Sequence, residues 1–166
     1  MFGRWLSTKR ETEVTGASAL ETVVRRELAD ADAETIQVVA AMTGLLGVVA
    51  YADRDYSSAE EQRLLAELSR IQGMTGPGAR AIASALRDNL LAVASVGVPY
   101  CCRTLRDLGD RELRLEVLEA LLGLAAADGV IDLTEVNVLR QVTASLGLSQ
   151  DDYNAAQQRH RQHLAT

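Results

Sequence analysis

Apolar residues recur along most of the chain at helical spacing, and this pattern predicts an all-helical protein. Within residues 17–29, one stripe of apolar side chains is backed by charged residues, as in an amphipathic surface helix: Leu20, Val23, Val24 and Leu28. Comparable stripes predict helices over residues 58–72, 77–96, 111–127, 133–146 and 153–164. No stretch alternates polar and apolar residues as a strand would. The predicted fold class is all-α, a single-domain bundle of seven to eight helices.

Proline and glycine positions set several of the expected helix ends. Pro77 suits the first turn of a helix, where a missing N–H leaves no hydrogen bond unmade. Gly97 and Pro99 are expected to end that helix, because proline in a helix interior removes a backbone hydrogen bond. A separate short helix is therefore predicted over residues 100–108.

One segment, residues 33–52, is apolar on all sides, and Asp32 before it is a suitable N-cap. Its uncharged interior, residues 36–52, reaches the lower length limit for a membrane span. Polar and glycine residues interrupt it, at Gln37, Thr43, Gly44 and Gly47, and acidic residues flank both ends. We interpret the segment as the central helix of a soluble bundle, with no transmembrane segment in the chain. Its glycines would allow a neighbouring helix to approach closely.

The chain also contains an internal repeat with a spacing of 75 residues. In each copy an apolar helix runs into an acidic bend and a new helix follows; we call residues 51–60 the first elbow and residues 126–135 the second elbow. The superposed pairs are Asp53 with Asp128, Tyr56 with Ile131, Ser57 with Asp132, Glu60 with Glu135, Leu64 with Leu139 and Ile71 with Leu146. The repeat predicts two related helical hairpins.

The elbow carboxylates fall into two classes. Asp53 and Asp128 follow the carbonyl end of a helix, where the helix dipole disfavours a carboxylate by up to about 1 kcal/mol. Glu60 and Glu135 fall in the first turn of the next helix, where each completes a capping-box pattern with Ser57 or Asp132. Helix capping therefore explains the glutamates as well as metal binding does. Asp-Gly is also a common helix stop, with Gly129 in the left-handed conformation.

If the two hairpins pack face to face, four carboxylates converge, and their mutual repulsion calls for a cation: Asp53, Glu60, Asp128 and Glu135. Oxygen ligands favour Ca²⁺, Mg²⁺ or Mn²⁺. The auxiliary candidates are Asp55, Ser57, Glu61 and Asp132, and Glu61 would replace Glu60 if the helix began one residue later. An EF-hand starting at Asp53 is excluded, because its sixth residue is Ser58 and its twelfth is Leu64.

Charge and composition limit the cellular compartment and the classes of binding partner that we expect. A formal net charge of −6 argues against nucleic acid as a partner. The adjacent Cys101 and Cys102 are interpreted as buried thiols in a reducing compartment. Residues 1–10 lack the features of a secretory signal, so the protein is expected to be cytoplasmic. Residues 1–16 are predicted to be a flexible tail, and residues 17–166 the domain.

The chain shows none of the usual catalytic patterns. It has no nucleophile–histidine arrangement, no glycine-rich phosphate loop and no His-Glu-x-x-His motif. His160 and His163, three residues apart, are interpreted as solvated surface side chains. The predicted function is therefore non-enzymatic, and a hydrolase using the carboxylates with Mg²⁺ is the less favoured alternative.

The segment Ala126–Glu135, Ala-Ala-Asp-Gly-Val-Ile-Asp-Leu-Thr-Glu, and its degenerate copy at Tyr51–Glu60 resemble the TerB-like domain of bacterial tellurite resistance proteins. They are also similar to the N-terminal domain of a membrane-anchored DnaJ-type co-chaperone. The similarity covers roughly residues 33–164. It implies an all-helical, non-enzymatic domain associated with tellurite and other chemical stress. It also implies protein complexes at the inner face of the membrane.

In that family the acidic metal-binding positions correspond to four residues of this chain: Asp53, Glu60, Asp128 and Glu135. The first copy departs from the family pattern, because Arg54 stands where glycine is expected and Tyr56 stands for isoleucine. Arg54 could neutralise Asp53 in place of a cation. The alternative function is a structural interaction module that binds a basic partner peptide without metal, and self-association is left open.

Overall fold

A computed structural model of the protein describes residues 19–52, 56–127, 129 and 131–160. They form eight helices: α1 (19–27), α2 (Ala33–Ala50), α3 (Ser58–Ser69), α4 (Gly76–Asp88), α5 (Leu90–Leu108), α6 (Arg111–Ala125), α7 (Leu133–Ser145) and α8 (Gln150–Arg159). This part of the chain contains no strand. The predicted all-α bundle is confirmed.

Local capping explains why most helices begin where the sequence predicts. The side chains of Asp32, Thr75, Asp110 and Ser149 each accept a hydrogen bond from a backbone N–H in the first turn of the helix that follows. Such caps satisfy N–H groups that have no partner inside the helix. Pro77 lies in the first turn of α4, as predicted.

The break predicted at Gly97 and Pro99 is wrong. α4 ends at Asp88, and after a turn at Asn89 the chain continues as one helix, α5, through both residues. The Asn89 side chain donates to the carbonyl of Ala85 at 2.7 Å and so closes the end of α4. An interior proline costs about 3 kcal/mol. Extensive packing of α5 against α2 offsets this cost, and sequence patterns do not report such packing.

α2 is the central helix. It packs most extensively against α5 and also against α6 and α4, and from Ala41 to Ala50 all but Met42 are buried. The predicted close approach at its glycines is present. A Cβ atom on Gly44 would lie 2.9 Å from Cys101 Sγ, and one on Gly47 would lie 2.5 Å from Leu86 Cδ1.

Among the described helices, α2 has the length and composition of a membrane-spanning helix, with 18 residues and a mean hydropathy of 1.6. The core helix of a soluble bundle has the same properties, and just over half of α2 is buried inside this one. The composition of α2 therefore argues neither for nor against association with a membrane.

Of the remaining predictions about the fold, one is confirmed, one is corrected and one is untested. Cys101 and Cys102 are buried free thiols, as predicted. The last helix ends at Arg159 with His160 as its C-cap, whereas the sequence predicted a helix reaching Leu164. Residues 161–166 and the predicted tail over residues 1–16 lie outside the described residues.

Candidate metal centre and the adjoining clefts

The two elbows open α3 and α7 with the same hydrogen-bond pattern. In the first, the Ser57 N–H donates to Glu60 Oε2 at 2.8 Å and the Glu60 N–H donates to Ser57 Oγ at 3.1 Å. In the second, the corresponding distances between Asp132 and Glu135 are 2.9 and 2.8 Å. Both predicted capping boxes are therefore confirmed.

Burial of the two capping glutamates is almost complete. The exposed fraction is 0% for Glu60 and 1% for Glu135, whereas a capping residue usually lies at the surface. Burial of an ionised carboxylate is costly unless hydrogen bonds or opposite charges compensate it. The helix N-terminus supplies part of this compensation through its backbone N–H groups and its dipole.

The repeat extends beyond the capping boxes. Leu64 and Leu139, four residues after the two glutamates, are both fully buried. Before the boxes, Ile131 is fully buried, whereas its counterpart Tyr56 is half-buried. The predicted pseudo-repeat of helical hairpins is thus present in the fold, and the first elbow departs from it at Tyr56.

Tyr56 belongs to an ion-pair cluster on the outer side of the first elbow. Arg87 of α4 pairs with Glu61 and lies over the Tyr56 ring, 5.8 Å from its centroid. Burial raises the pKa of Tyr56 to about 12; the Glu61 carboxylate adds to this rise, and Arg87 opposes it. Glu61 is therefore already neutralised by an arginine, and Glu60 occupies the position equivalent to Glu135.

Three candidate ligands, Asp53, Asp55 and Asp128, lie outside the described residues. Within the residues that the structure describes, no group of three histidine, cysteine, aspartate or glutamate side chains could hold a metal ion. The convergence of the elbow carboxylates therefore stays a prediction. Gly129 adopts a φ of +96°, the left-handed conformation predicted for the helix stop.

A cleft of about 400 Å³ joins the two elbows, and we call it the narrow cleft. Ala59, in the first elbow, lines it from α3, and Ala126 and Ala127, in the second elbow, line it from the end of α6. It forms because α3 packs against α6. The elbows consequently lie at the same end of the bundle, as a shared centre requires.

Arg63 of α3 lies between the helices at this cleft. A Cβ atom on Gly123 of α6 would lie 2.5 Å from Arg63 Nη2, so a larger residue there would displace the guanidinium from this position. Arg63 also pairs with the buried Glu67 at 2.8 Å. This contact was not predicted from the sequence. Its signal was a glycine within the apolar last turns of α6, residues 120–125.

A second cleft, of about 600 Å³, continues from the first between α2, α3 and α6, and we call it the wide cleft. Its apolar wall consists of Val38, Val39, Met42, Ile71, Leu113, Val117 and Ala120. Charged side chains also line it: Glu67, Arg70, Glu116 and Glu119. Arg63 and His160 line both clefts. His160, interpreted from the sequence as solvated, is mostly buried and lies 3.2 Å from Glu119, while His163 is outside the described residues.

Comparison with known proteins gives one family. Residues 35–158 match the family model described as tellurite resistance protein TerB. The matched range runs from the first turn of α2 to the last turn of α8 and contains both elbows. No curated protein and no solved structure matches the chain.

Proposed function

Because the chain belongs to the TerB family, we propose that it binds a divalent cation at an acidic centre and has no enzymatic activity. The proposed ligands are the four elbow carboxylates: Asp53, Glu60, Asp128 and Glu135. Asp55 and Asp132 are auxiliary ligands, and Glu61 is the weakest candidate because Arg87 already pairs with it. The observation that carries the proposal is the burial of two equivalent glutamates at one end of the bundle.

The chemistry of these side chains suits a hard cation. Carboxylate oxygens favour Ca²⁺, Mg²⁺ or Mn²⁺ over metals that prefer nitrogen and sulfur ligands. In each capping box the backbone N–H of the cap bonds to Oε2 and fixes the orientation of the carboxylate. A cation would add a favourable interaction for buried carboxylates, whose charge is costly to remove from water.

We further propose that the protein acts in resistance to tellurite, as the family description indicates, and to other chemical stress. In this role it would assemble with other proteins on the cytoplasmic face of the membrane. Its acidic net charge of −6 favours protein partners with basic surfaces over nucleic acid.

One observation favours a competing function, an interaction module without metal. The capping boxes give both glutamates a structural role that needs no cation. Substituting glutamine for glutamate separates the two roles. Glutamine also completes a capping box, but it carries no charge for a cation.

Calorimetric titration of the chelator-treated protein with Ca²⁺, Mg²⁺ and Mn²⁺ tests the proposal. We expect one of the cations to bind to the wild type, and Glu135→Gln or Asp128→Asn to weaken its binding at least tenfold. Asp110→Asn is the matched control, because Asp110 caps the opposite end of α6 through the Leu113 N–H at 2.8 Å. It should bind the cation as the wild type does.

The outcomes separate the candidate functions. Absence of heat with all three cations would reject the metal centre and leave the interaction module. Heat unchanged by both substitutions would place the cation elsewhere. Hydrolysis of phosphate esters or nucleic acid by the wild type, abolished by Asp128→Asn, would instead support a metal-dependent hydrolase.

A further inference from the structure

We propose that the narrow and wide clefts form one binding site for an aliphatic carboxylate. In this site the carboxylate lies beside Arg63 in the narrow cleft, and the aliphatic chain lies along the apolar wall of the wide cleft. The inference concerns residues outside the elbow carboxylates and does not rest on the metal centre.

The narrow cleft has the polarity of an anion site. Arg63, His160 and Gln62 line it together with alanine and glycine residues, and no carboxylate does. The Nε atom of Arg63 is buried and has no hydrogen-bond acceptor among the described residues. A buried donor without a partner is costly, and a ligand oxygen would satisfy it.

The charges around Arg63 suit a ligand with a single negative charge. Arg63 and Arg70 share one carboxylate, that of Glu67, at 2.8 and 3.4 Å, which leaves one positive charge in excess among these three side chains. Glu116 also lines the wide cleft, but it is exposed to solvent, which screens its charge. His160 and Arg159 both contact Glu119, which is thereby neutralised. A carboxylate matches this excess better than a phosphate with two charges does.

The wide cleft accounts for the aliphatic part of the ligand. Its volume of about 600 Å³ lies within the range of small-molecule sites, and seven of its thirteen lining residues form an apolar wall. Along α6, Gly123 and Leu113 are ten residues apart, or roughly 15 Å at the helical rise per residue. This length suits a medium-chain acid. A partner helix, about 10 Å across with its side chains, would need a longer and more open groove.

The internal repeat shows that helices of this fold can pack at the equivalent contact without Arg63, Glu67 and Gly123. At a spacing of 75 residues, the counterparts of Arg63, Glu67 and Gly123 are Val138, Val142 and Val48. In this second set Val48 and Val142 are buried, and Val138 packs against the core. The contact between α3 and α6 therefore has an ion pair and a helix-weakening glycine, where the equivalent contact between α7 and α2 has three valines. Ligand binding supplies a reason for this difference.

Calorimetric titration with sodium decanoate tests the site, with decanol and decyl phosphate as comparison ligands. We expect the wild type to bind one decanoate per chain, and to bind it more tightly than either comparison ligand. Arg63→Met should weaken decanoate binding at least tenfold, since a hydrogen bond to a charged group is lost. Gly123→Ala should weaken it too, because the added Cβ displaces the guanidinium. It serves as a second variant if Arg63→Met does not fold.

Arg87→Met is the matched control. Arg87, like Arg63, is a partly exposed arginine of a helix surface that pairs with a glutamate, but it lies outside both clefts. Decanoate binding by this variant should equal that of the wild type, with circular dichroism confirming the fold of each variant.

Absence of decanoate binding, or equal binding by the wild type and the folded Arg63→Met variant, would overturn the proposal. Tighter binding of decanol or decyl phosphate would refute the proposal that the site prefers a ligand with a single negative charge. Sedimentation with phosphatidylglycerol vesicles without binding of free decanoate would assign the surface to a membrane. Binding of an amphipathic helical peptide, again without decanoate binding, would assign it to a protein partner.

Discussion

Replacing Gly47 by alanine tests how closely α2 and α4 are packed. Gly47 lies inside α2, and a Cβ atom added there would lie 2.5 Å from Cδ1 of Leu86 and 3.1 Å from its Cδ2 and Cγ. Because three atoms of the Leu86 side chain are in the way, rotation of its end alone does not relieve the contact. Leu86 is buried, so its displacement disturbs other parts of the core.

Two opposing contributions determine how Gly47→Ala changes the free energy of unfolding. Alanine is favoured over glycine inside a helix by about 1 kcal/mol. Overpacking of a core costs roughly 1–3 kcal/mol. We expect Gly47→Ala to lower the free energy of unfolding by about 1 kcal/mol, taking about 2 kcal/mol for the overpacking. In a Leu86→Ala background the obstruction is absent, and the same substitution should raise stability by about 1 kcal/mol.

Urea denaturation followed by circular dichroism measures these free energies, and the double-mutant cycle should give a coupling of about 2 kcal/mol. Gly97→Ala in α5 is the matched control, because the nearest atom to its added Cβ is Val93 Cγ1 at 3.4 Å, an ordinary contact. It should be stabilising. Additive effects of Gly47→Ala and Leu86→Ala would refute the steric argument, as would stabilisation by Gly47→Ala alone.

Two further predictions concern titratable groups. Burial raises the pKa of the Cys101 thiol to about 12 and that of the Cys102 thiol to about 11, so little thiolate forms at pH 8. Ellman's reagent should react slowly with the native protein and rapidly in urea; rapid native reaction would contradict the burial. Hydrogen bonds from Ser149, the backbone N–H first, with a smaller contribution from Arg111, hold the pKa of Asp152 below its usual value. Its stabilising effect is therefore present above the unfolded value and lost as the pH falls through the folded pKa. Ser149→Ala keeps the backbone hydrogen bond and removes the hydroxyl, so it should raise the pKa of Asp152 only in part in an NMR titration. An unchanged pKa would exclude the Ser149 hydroxyl as a cause.

The sequence predicted the features whose causes lie within a few residues of one another. Ser57 and Glu60 form a capping box because three residues separate them in the first turn of a helix, and Asp132 and Glu135 do so for the same reason. The left-handed Gly129 follows equally from local chemistry, since glycine tolerates this conformation best. The all-α fold class and most helix starts could be predicted without knowledge of tertiary contacts.

Features that depend on distant residues were not predictable in this way. The helix continues through Pro99 because α5 packs against α2, more than forty residues earlier in the chain. Pairing of Glu61 with Arg87, which distinguishes it from Glu60, joins α3 to α4 across 26 residues. The contact between Arg63 and Gly123 joins the two hairpins across the narrow cleft. Charge and spacing in one segment carry no information about such partners.

Comparison of the two copies of the repeat separates residues that have a structural role in both copies from residues that occur in one copy for another reason. Glu60 and Glu135 occur in both hairpins, and each has a local purpose, because each helix needs its N-terminal N–H groups satisfied. Their presence in both copies therefore does not by itself require a cation, which is why substitution by glutamine is the informative experiment. Arg63 occurs only in the first hairpin and Gly123 only in the second, and valines occupy the equivalent position of the other hairpin in each case. A glycine inside a helix and a partly buried guanidinium both reduce stability unless they gain a compensating interaction. Features that break the repeat at a cost in stability are thus the stronger indication of a binding function in this fold.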